Sequence, residues 1–322
     1  MKTFICQYDH PVETQDFWRK DLTALFAHLN TRDLRPVFSP RQVSTILPRG
    51  DVLILNLGFI KALIGKERAY FIVHGSEDRI AALCKKITIP SAGVSDSDER
   101  QPFVLFVLEK ILSSQLTHMR ADATEIESAT EHALSRIRKN FLETYLENLL
   151  TSKKGISKIS SKITEANEAI EEVLEDHDSL TEIASLVTGY RDLPDDADPD
   201  QQQHMDNTID EITSILENFI EQIEEIDGTI RRLRESVDDT EEFITLKLNA
   251  RRTAIIRADL LATITTLILS FLAVIVGLYG TNIRNGFENS PEAFATLKLF
   301  LVGFFILSLA IAYLILKKKR LF

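Results

Sequence analysis

The residues with the clearest capacity for chemistry recur in steps of four and three near the C-terminal end. They are Arg252, Ile256, Asp259, Thr263, Thr266, Ser270, Ala273 and Gly277, leading on to Asn282. That spacing places them on one face of an α-helix. Beyond Asp259 every member is small or carries a hydroxyl, whereas the other faces are mostly Leu, Ile, Val and Phe. Hydroxyls and amides can hydrogen-bond the water shell of a cation without stripping it, which suits Mg2+ because that ion dehydrates reluctantly. Small and hydroxylated residues also line close helix–helix contacts in lipid, so the stripe has a second, purely structural use. Its full-depth run from an ionisable Asp259 to Asn282 favours an ion path. One helix cannot enclose a path, so several copies would have to surround an axis.

Other kinds of chemistry find little support. The two cysteines, Cys6 and Cys84, show no CxxC or Cys/His spacing, so two reduced thiols are expected rather than a disulfide framework or a zinc site. The seven histidines (His10, His28, His74, His118, His132, His177 and His204) are scattered, without HExxH, and are expected at the surface. No GxxxxGK[ST] phosphate loop occurs, and no catalytic residues are assigned. A net charge of -11 argues against nucleic acid as a partner and is compatible with attracting cations.

The element that carries the stripe is a membrane span. Residues 260–283 contain no charge, and neither do residues 299–316. A spanning helix needs about 20 apolar residues. Arg251, Arg252 and Arg257 precede the first run, and Lys317, Lys318, Lys319 and Arg320 follow the second. Between them lie only Arg284, Glu288, Glu292 and Lys298. By the positive-inside rule both ends face the inner side, giving a helical hairpin with a short outer loop.

Residues 33–73 read as short strands, with Leu47, Val52, Ile54, Leu57, Ile60, Ile64, Tyr70 and Ile72 in apolar runs broken by Gly50, Gly58 and Gly65. A helix is expected over 14–29 and another over 77–86. Residues 90–101 read as a linker. Residues 102–187 read as helical, with breaks near Asn140 and over 152–155, and residues 191–203 as an acidic turn. Ile209, Ile212, Leu216, Phe219, Ile223, Ile226, Ile230, Leu233, Val237, Thr240 and Ile244 then follow a three–four spacing, a heptad seam. No proline interrupts 205–280, so one helix about 110 Å long is expected there. Residues 206–245 hold thirteen Asp/Glu against three Arg. This is either a solvated coiled-coil face or a surface where neighbouring copies hold and sense divalent ions through carboxylates.

Tyr279-Gly280-Thr281-Asn282, at the outer end of the first span, resembles the Tyr/Phe-Gly-Met-Asn signature of the CorA magnesium-channel superfamily. Residues 237–264 (VDDTEEFITLKLNARRTAIIRADLLATI), 32–37 (RDLRPV) and 46–64 (ILPRGDVLILNLGFIKALI) resemble its eukaryotic, mitochondrial-type branch. The resemblance implies a funnel-shaped homopentamer with the first spans lining the pore. It implies a selectivity filter of Gly280, Thr281 and Asn282, with Gly280 permitting a tight turn and Asn282 forming an outer amide ring for hydrated Mg2+. Asp259 would mark the inner pore entrance, Arg252 a basic ring, and Glu288 and Glu292 a cation-collecting outer loop. Metal contacts are assigned to Asn282 and Asp259. The family's Met is Thr281 here, which leaves open a Mg2+ channel of altered affinity, a channel for another divalent ion, or a poorly conducting paralogue.

The expected fold class is an α+β N-terminal domain with a long stalk helix and two C-terminal transmembrane helices. The expected parts are an α/β domain (1–90), a helical part (91–204), a stalk (205–258), a pore-lining span (259–283), an outer loop (284–298), a second span (299–316) and a basic tail (317–322). The expected function is passive passage of Mg2+, which would be both cargo and regulator, through a self-associated oligomer in lipid. Transport of Co2+, Ni2+ or Zn2+, or a non-conducting membrane-anchored scaffold, are the alternatives. The opening residues MKTFICQYDH resemble neither a signal nor a transit peptide, which favours a bacterial inner membrane over a mitochondrial one.

Overall fold

The computed structural model describes all residues except 9, 27–28, 40–42, 76, 89–100, 140–143, 191–198, 281–290 and 319–322. The chain divides into two compact units, Met1–Asp238 and Asp239–Phe322.

The first unit is built on one antiparallel sheet of six strands. These are β1 (Lys2–Gln7), β2 (Glu13–Asp16), β3 (Thr45–Arg49), β4 (Val52–Leu57), β5 (Ile60–Ile64) and β6 (Arg68–Ile72), in the order β2-β1-β6-β5-β4-β3. Strand β4, flanked by β5 and β3, reads VLILNL and is buried at every position, because helices cover both faces of the sheet. Alternation sorts the side chains. Val52, Ile54, Leu63, Tyr70 and Ile72 join a core with Phe17, Leu22, Leu29, Leu34, Val37 and Phe38, which come from α1 (Arg19–Leu25), α2 (Arg35–Phe38) and their flanks. The opposite face meets α3 (Glu77–Thr88), which packs on β1, and α4 (Phe103–Lys139), which packs on β5. Helices α5 (Thr144–Glu175) and α6 (His177–Thr188) cover edge strand β3. The Glu182 carboxylate accepts from Gly50 N–H at 2.7 Å, which fastens the β3–β4 turn to α6.

Helix α7 (Pro199–Tyr279) is continuous for 81 residues. Ile212, Leu216, Phe219, Ile223, Ile226, Ile230, Leu233 and Val237 are all buried within the first unit. Arg120 of α4 pairs with Glu225 at 2.9 Å, and Lys153 of α5 pairs with Asp238 at 2.9 Å. The heptad seam over this stretch is therefore used inside the chain's own helical layer, and is not free to form a coiled coil with another copy. Ile209 is only half-buried, and Thr208 takes the inward place at that turn.

The structure departs from the sequence expectations at several points, and residues 199–203, expected in an acidic turn, open α7. A helix over 14–29 gives way to strand β2 followed by the shorter α1. ETQD has little strand propensity of its own and is strand because it pairs with β1, from Lys2–Asp16 to Ile5–Glu13. Residues 35–38 are helical rather than extended, with Pro36 in the first turn of α2. No break occurs at 152–155. Helix α5 runs through, and Gly155 lets it approach α4 so closely that an added Cβ would lie 3.1 Å from Ile126 Cδ1. Two histidines are not simple surface groups. His74 is half-buried with Nε2 2.9 Å from Val37 O, and half-buried His118 lies 4.5 Å from the Phe59 ring.

The second unit holds the end of α7 and α8 (Pro291–Lys318). Both helices are long and apolar enough to cross a membrane. Of their apolar windows only 6% and 0% are buried inside the chain, so neither behaves as the core helix of a soluble protein. The Ala295–Leu314 stretch of 20 residues matches a hydrocarbon layer about 30 Å thick.

Candidate ion-conduction site

Helix α7 meets α8 through one face. Arg257, Leu261, Ile264, Thr265, Ile268, Leu272 and Ile275 are half-buried on α7, while Leu297, Leu301, Phe304, Phe305, Ser308, Leu309 and Ala312 are half-buried on α8. Phe271 and Phe304 bring their ring centroids to 6.0 Å. At about 100° per residue, the stripe Arg252, Ile256, Asp259, Thr263, Thr266, Ser270, Ala273 and Gly277 is centred about 180° round the helix from this contact face. All eight residues are exposed on the single chain. The polar stripe is thus not spent on the hairpin contact, and packing of α7 against α8 does not explain its small and hydroxylated residues.

The hydroxyl chemistry follows from the helix. Thr266 Oγ1 donates to Ala262 O at 2.9 Å, and Thr265 Oγ1 donates to Leu261 O at 2.8 Å. Such back-bonding satisfies the hydroxyl proton locally and turns the oxygen lone pairs outward. An outward lone pair accepts from water, and the waters round a cation point their hydrogens outward. Thr266 thereby presents the polarity a hydrated cation needs. An added Cβ at Gly277 would meet nothing within 4 Å, so the stripe narrows to bare backbone there.

Gly280 donates its N–H to Val276 O at 2.9 Å and closes the last turn of α7. Its φ lies outside the left-handed region, so the tight-turn role expected of it does not rest on backbone handedness. Thr281, Asn282 and Glu288 lie outside the described residues, as do Lys319 and Arg320. Glu292 is exposed in the first turn of α8, where its charge complements the helix N-terminus. Among the described residues no group of three or more His, Cys, Asp or Glu gathers to hold a metal, so the acidic face of α7 and Asp259 form no closed site within one chain.

An α+β domain followed by a long helix and a C-terminal apolar hairpin defines the CorA fold. The CorA magnesium transporter from Methanocaldococcus jannaschii superposes with a TM-score of 0.59, covering 97% of each chain at 12% identity. A family model described as "Magnesium transporter MRS2-like" matches residues 7–252, and the chain belongs to that family. Among its relatives is "Magnesium transporter MRS2-11, chloroplastic" of Arabidopsis thaliana, 25% identical over 278 residues, which cover 83% of this chain and 60% of that one. Another is "Mitochondrial inner membrane magnesium transporter mrs2" of Schizosaccharomyces pombe, 28% identical over 313 residues, with coverages of 95% and 71%. The chain spans about 60% of the length of the chloroplast relatives it matches.

Proposed function

We propose that the chain is the subunit of a passive Mg2+ channel, in which the α7 helices of several identical copies, five by resemblance to CorA, turn their hydroxyl-bearing faces to a common axis. The observation that carries this reading is the position of the stripe, on the side of α7 opposite α8 and exposed in the single chain. A face both polar and apolar-flanked, inside a segment that crosses lipid, is stable only when covered by other copies and water. The relatives' names, which describe magnesium transporters, support Mg2+ as cargo.

In this mechanism a hydrated cation is concentrated by Glu288 and Glu292 and held at the outer mouth by a ring of Asn282 amides. It then moves past Gly277, Ala273, Ser270, Thr266 and Thr263 with its water shell hydrogen-bonded to hydroxyl oxygens. Asp259 carboxylates draw it towards the inner mouth, and Arg252 sets an electrostatic threshold there. The driving force is the membrane potential, worth about 2.3 kcal/mol per charge per 100 mV, so a divalent ion needs no nucleotide hydrolysis. Regulation by internal Mg2+ would use acidic α7 side chains of adjacent copies, since the described residues of one chain gather no complete site.

Growth of cells stripped of their own Mg2+ uptake systems tests the assignment. The chain is expected to restore growth at low Mg2+, Asn282→Ala to abolish it and Asp259→Ala to weaken it. Thr281→Met, which restores the family's residue, is expected to maintain or raise uptake. Growth indifferent to Asn282→Ala removes the filter assignment.

A further inference from the structure

Cys6 and Cys84 are the chain's only cysteines, and each is fully buried and unbridged. They lie 78 positions apart in sequence, yet the fold brings them together. Cys6 shares with Phe4 the face of β1 that α3 covers, and Cys84 shares the buried face of α3 with Ile80, Leu83 and Ile87. Lys2 and Glu77 form an ion pair at the start of the same strand and helix. From Lys2 to Cys6 the strand rises about 13 Å, and from Glu77 to Cys84 the helix rises about 10.5 Å. Strand and helix are thus fastened at their starts and packed on each other, with the two cysteines on the faces they turn to one another. The neighbouring Cys6 side chain first, and burial second, push the Cys84 thiol's pKa up. The mechanism above uses neither residue.

We propose that Cys6 and Cys84 form a peroxide-sensitive thiol pair whose oxidation to a disulfide clamps β1 to α3. Hydrogen peroxide is small enough to enter on a brief separation of strand and helix. One sulfur attacks a peroxide oxygen, the O–O bond breaks, and the departing hydroxide takes up the thiol proton as water, leaving a sulfenic acid. The second sulfur attacks the first, forming S–S as S–O breaks, and a second water leaves with the remaining thiol proton. Two thiols lose an electron pair and one peroxide gains it. Because the thiolate is the attacking form, the reaction is faster at alkaline pH.

The test exposes the full-length protein in detergent to hydrogen peroxide. Titratable thiols should fall from two to none, the intact mass should drop by two hydrogens, and non-reducing digestion should yield one peptide joining the β1 and α3 segments. The thermal midpoint should rise by about 5 °C or more and return with dithiothreitol, because the link closes a long loop. Cys84→Ala should leave a Cys6 sulfenic acid that dimedone traps. Oxygen added separately at both sulfurs, cross-links between chains, or two thiols still free after prolonged alkaline peroxide would overturn the proposal.

Discussion

Lys61 sits on β5 in the middle of the sheet and is only 3% exposed, and its ammonium donates to the backbone carbonyls of Ser39 and, at 3.5 Å, Pro36. Its cross-strand partner Asn56 donates to Val43 O at 2.7 Å, and His74 donates to Val37 O at 2.9 Å. Three side chains from the sheet side thus hold the carbonyl oxygens of Pro36, Val37, Ser39 and Val43. Burial lowers the Lys61 pKa, and burial first, with the Lys61 charge as a lesser cause, lowers that of His74. A histidine whose folded pKa lies below its unfolded value near 6.5 binds fewer protons when folded, so stability falls as pH drops through and below that value. We predict a thermal midpoint that declines on acidification from pH 7.5 to pH 5, with a slope that flattens in His74→Gln; differential scanning fluorimetry across pH measures both. Gly58 (φ +57°) offers a second test. An added Cβ there would lie 2.7 Å from Gln115 Nε2, so Gly58→Ala should cost roughly 1–3 kcal/mol through strain and displacement of Gln115. Chemical unfolding of the purified protein checks it. Neither Lys61 nor Gly58 announces its role in the sequence, because each role depends on what a distant segment places above it.

At the scale of elements, α7 shows what periodicity can and cannot convey. The three–four spacing from Ile212 to Val237 was legible because burial of a helix face imposes it. The partner was not, since the same spacing serves a helix packed on its own chain and a helix in a coiled coil. Leu216→Ala and Ile223→Ala are therefore expected to destabilise the first unit by about 2–5 kcal/mol each, as core truncations do. Protease susceptibility of the full chain under native conditions should rise accordingly, whatever its oligomeric state. The polar stripe of the first span was equally legible, because a hydroxyl in a lipid-crossing helix has few reasons to be there. Strand β2 was not, as its four exposed residues carry no apolar alternation and take their conformation from β1. The uninterrupted α5 at Gly155 was missed for a related reason. A glycine chosen for close approach to Ile126 looks, in one dimension, like a helix breaker.

At the scale of the whole molecule, basic residues flank both spans in the sequence, Arg251, Arg252 and Arg257 before the first and Lys317 to Arg320 after the second, and the net charge of -11 is carried by residues outside the spans. Flux through such an assembly should follow membrane potential, vanish when the potential is collapsed without an ion gradient, and ignore ATP; a fluorescent Mg2+ indicator inside liposomes reads all three. The central claim concerns which side of α7 meets water, and cysteine accessibility tests it most directly. In a Cys6→Ala/Cys84→Ala background, Ser270→Cys and Ile268→Cys would be compared for reaction with a water-soluble cationic thiol reagent in liposomes. The account predicts that Ser270→Cys reacts, that Mg2+ flux is blocked as it does, and that Mg2+ slows the labelling, while Ile268→Cys stays unreactive against α8. Equal rates at the two positions, or labelling of Ser270→Cys that leaves flux untouched, would contradict it.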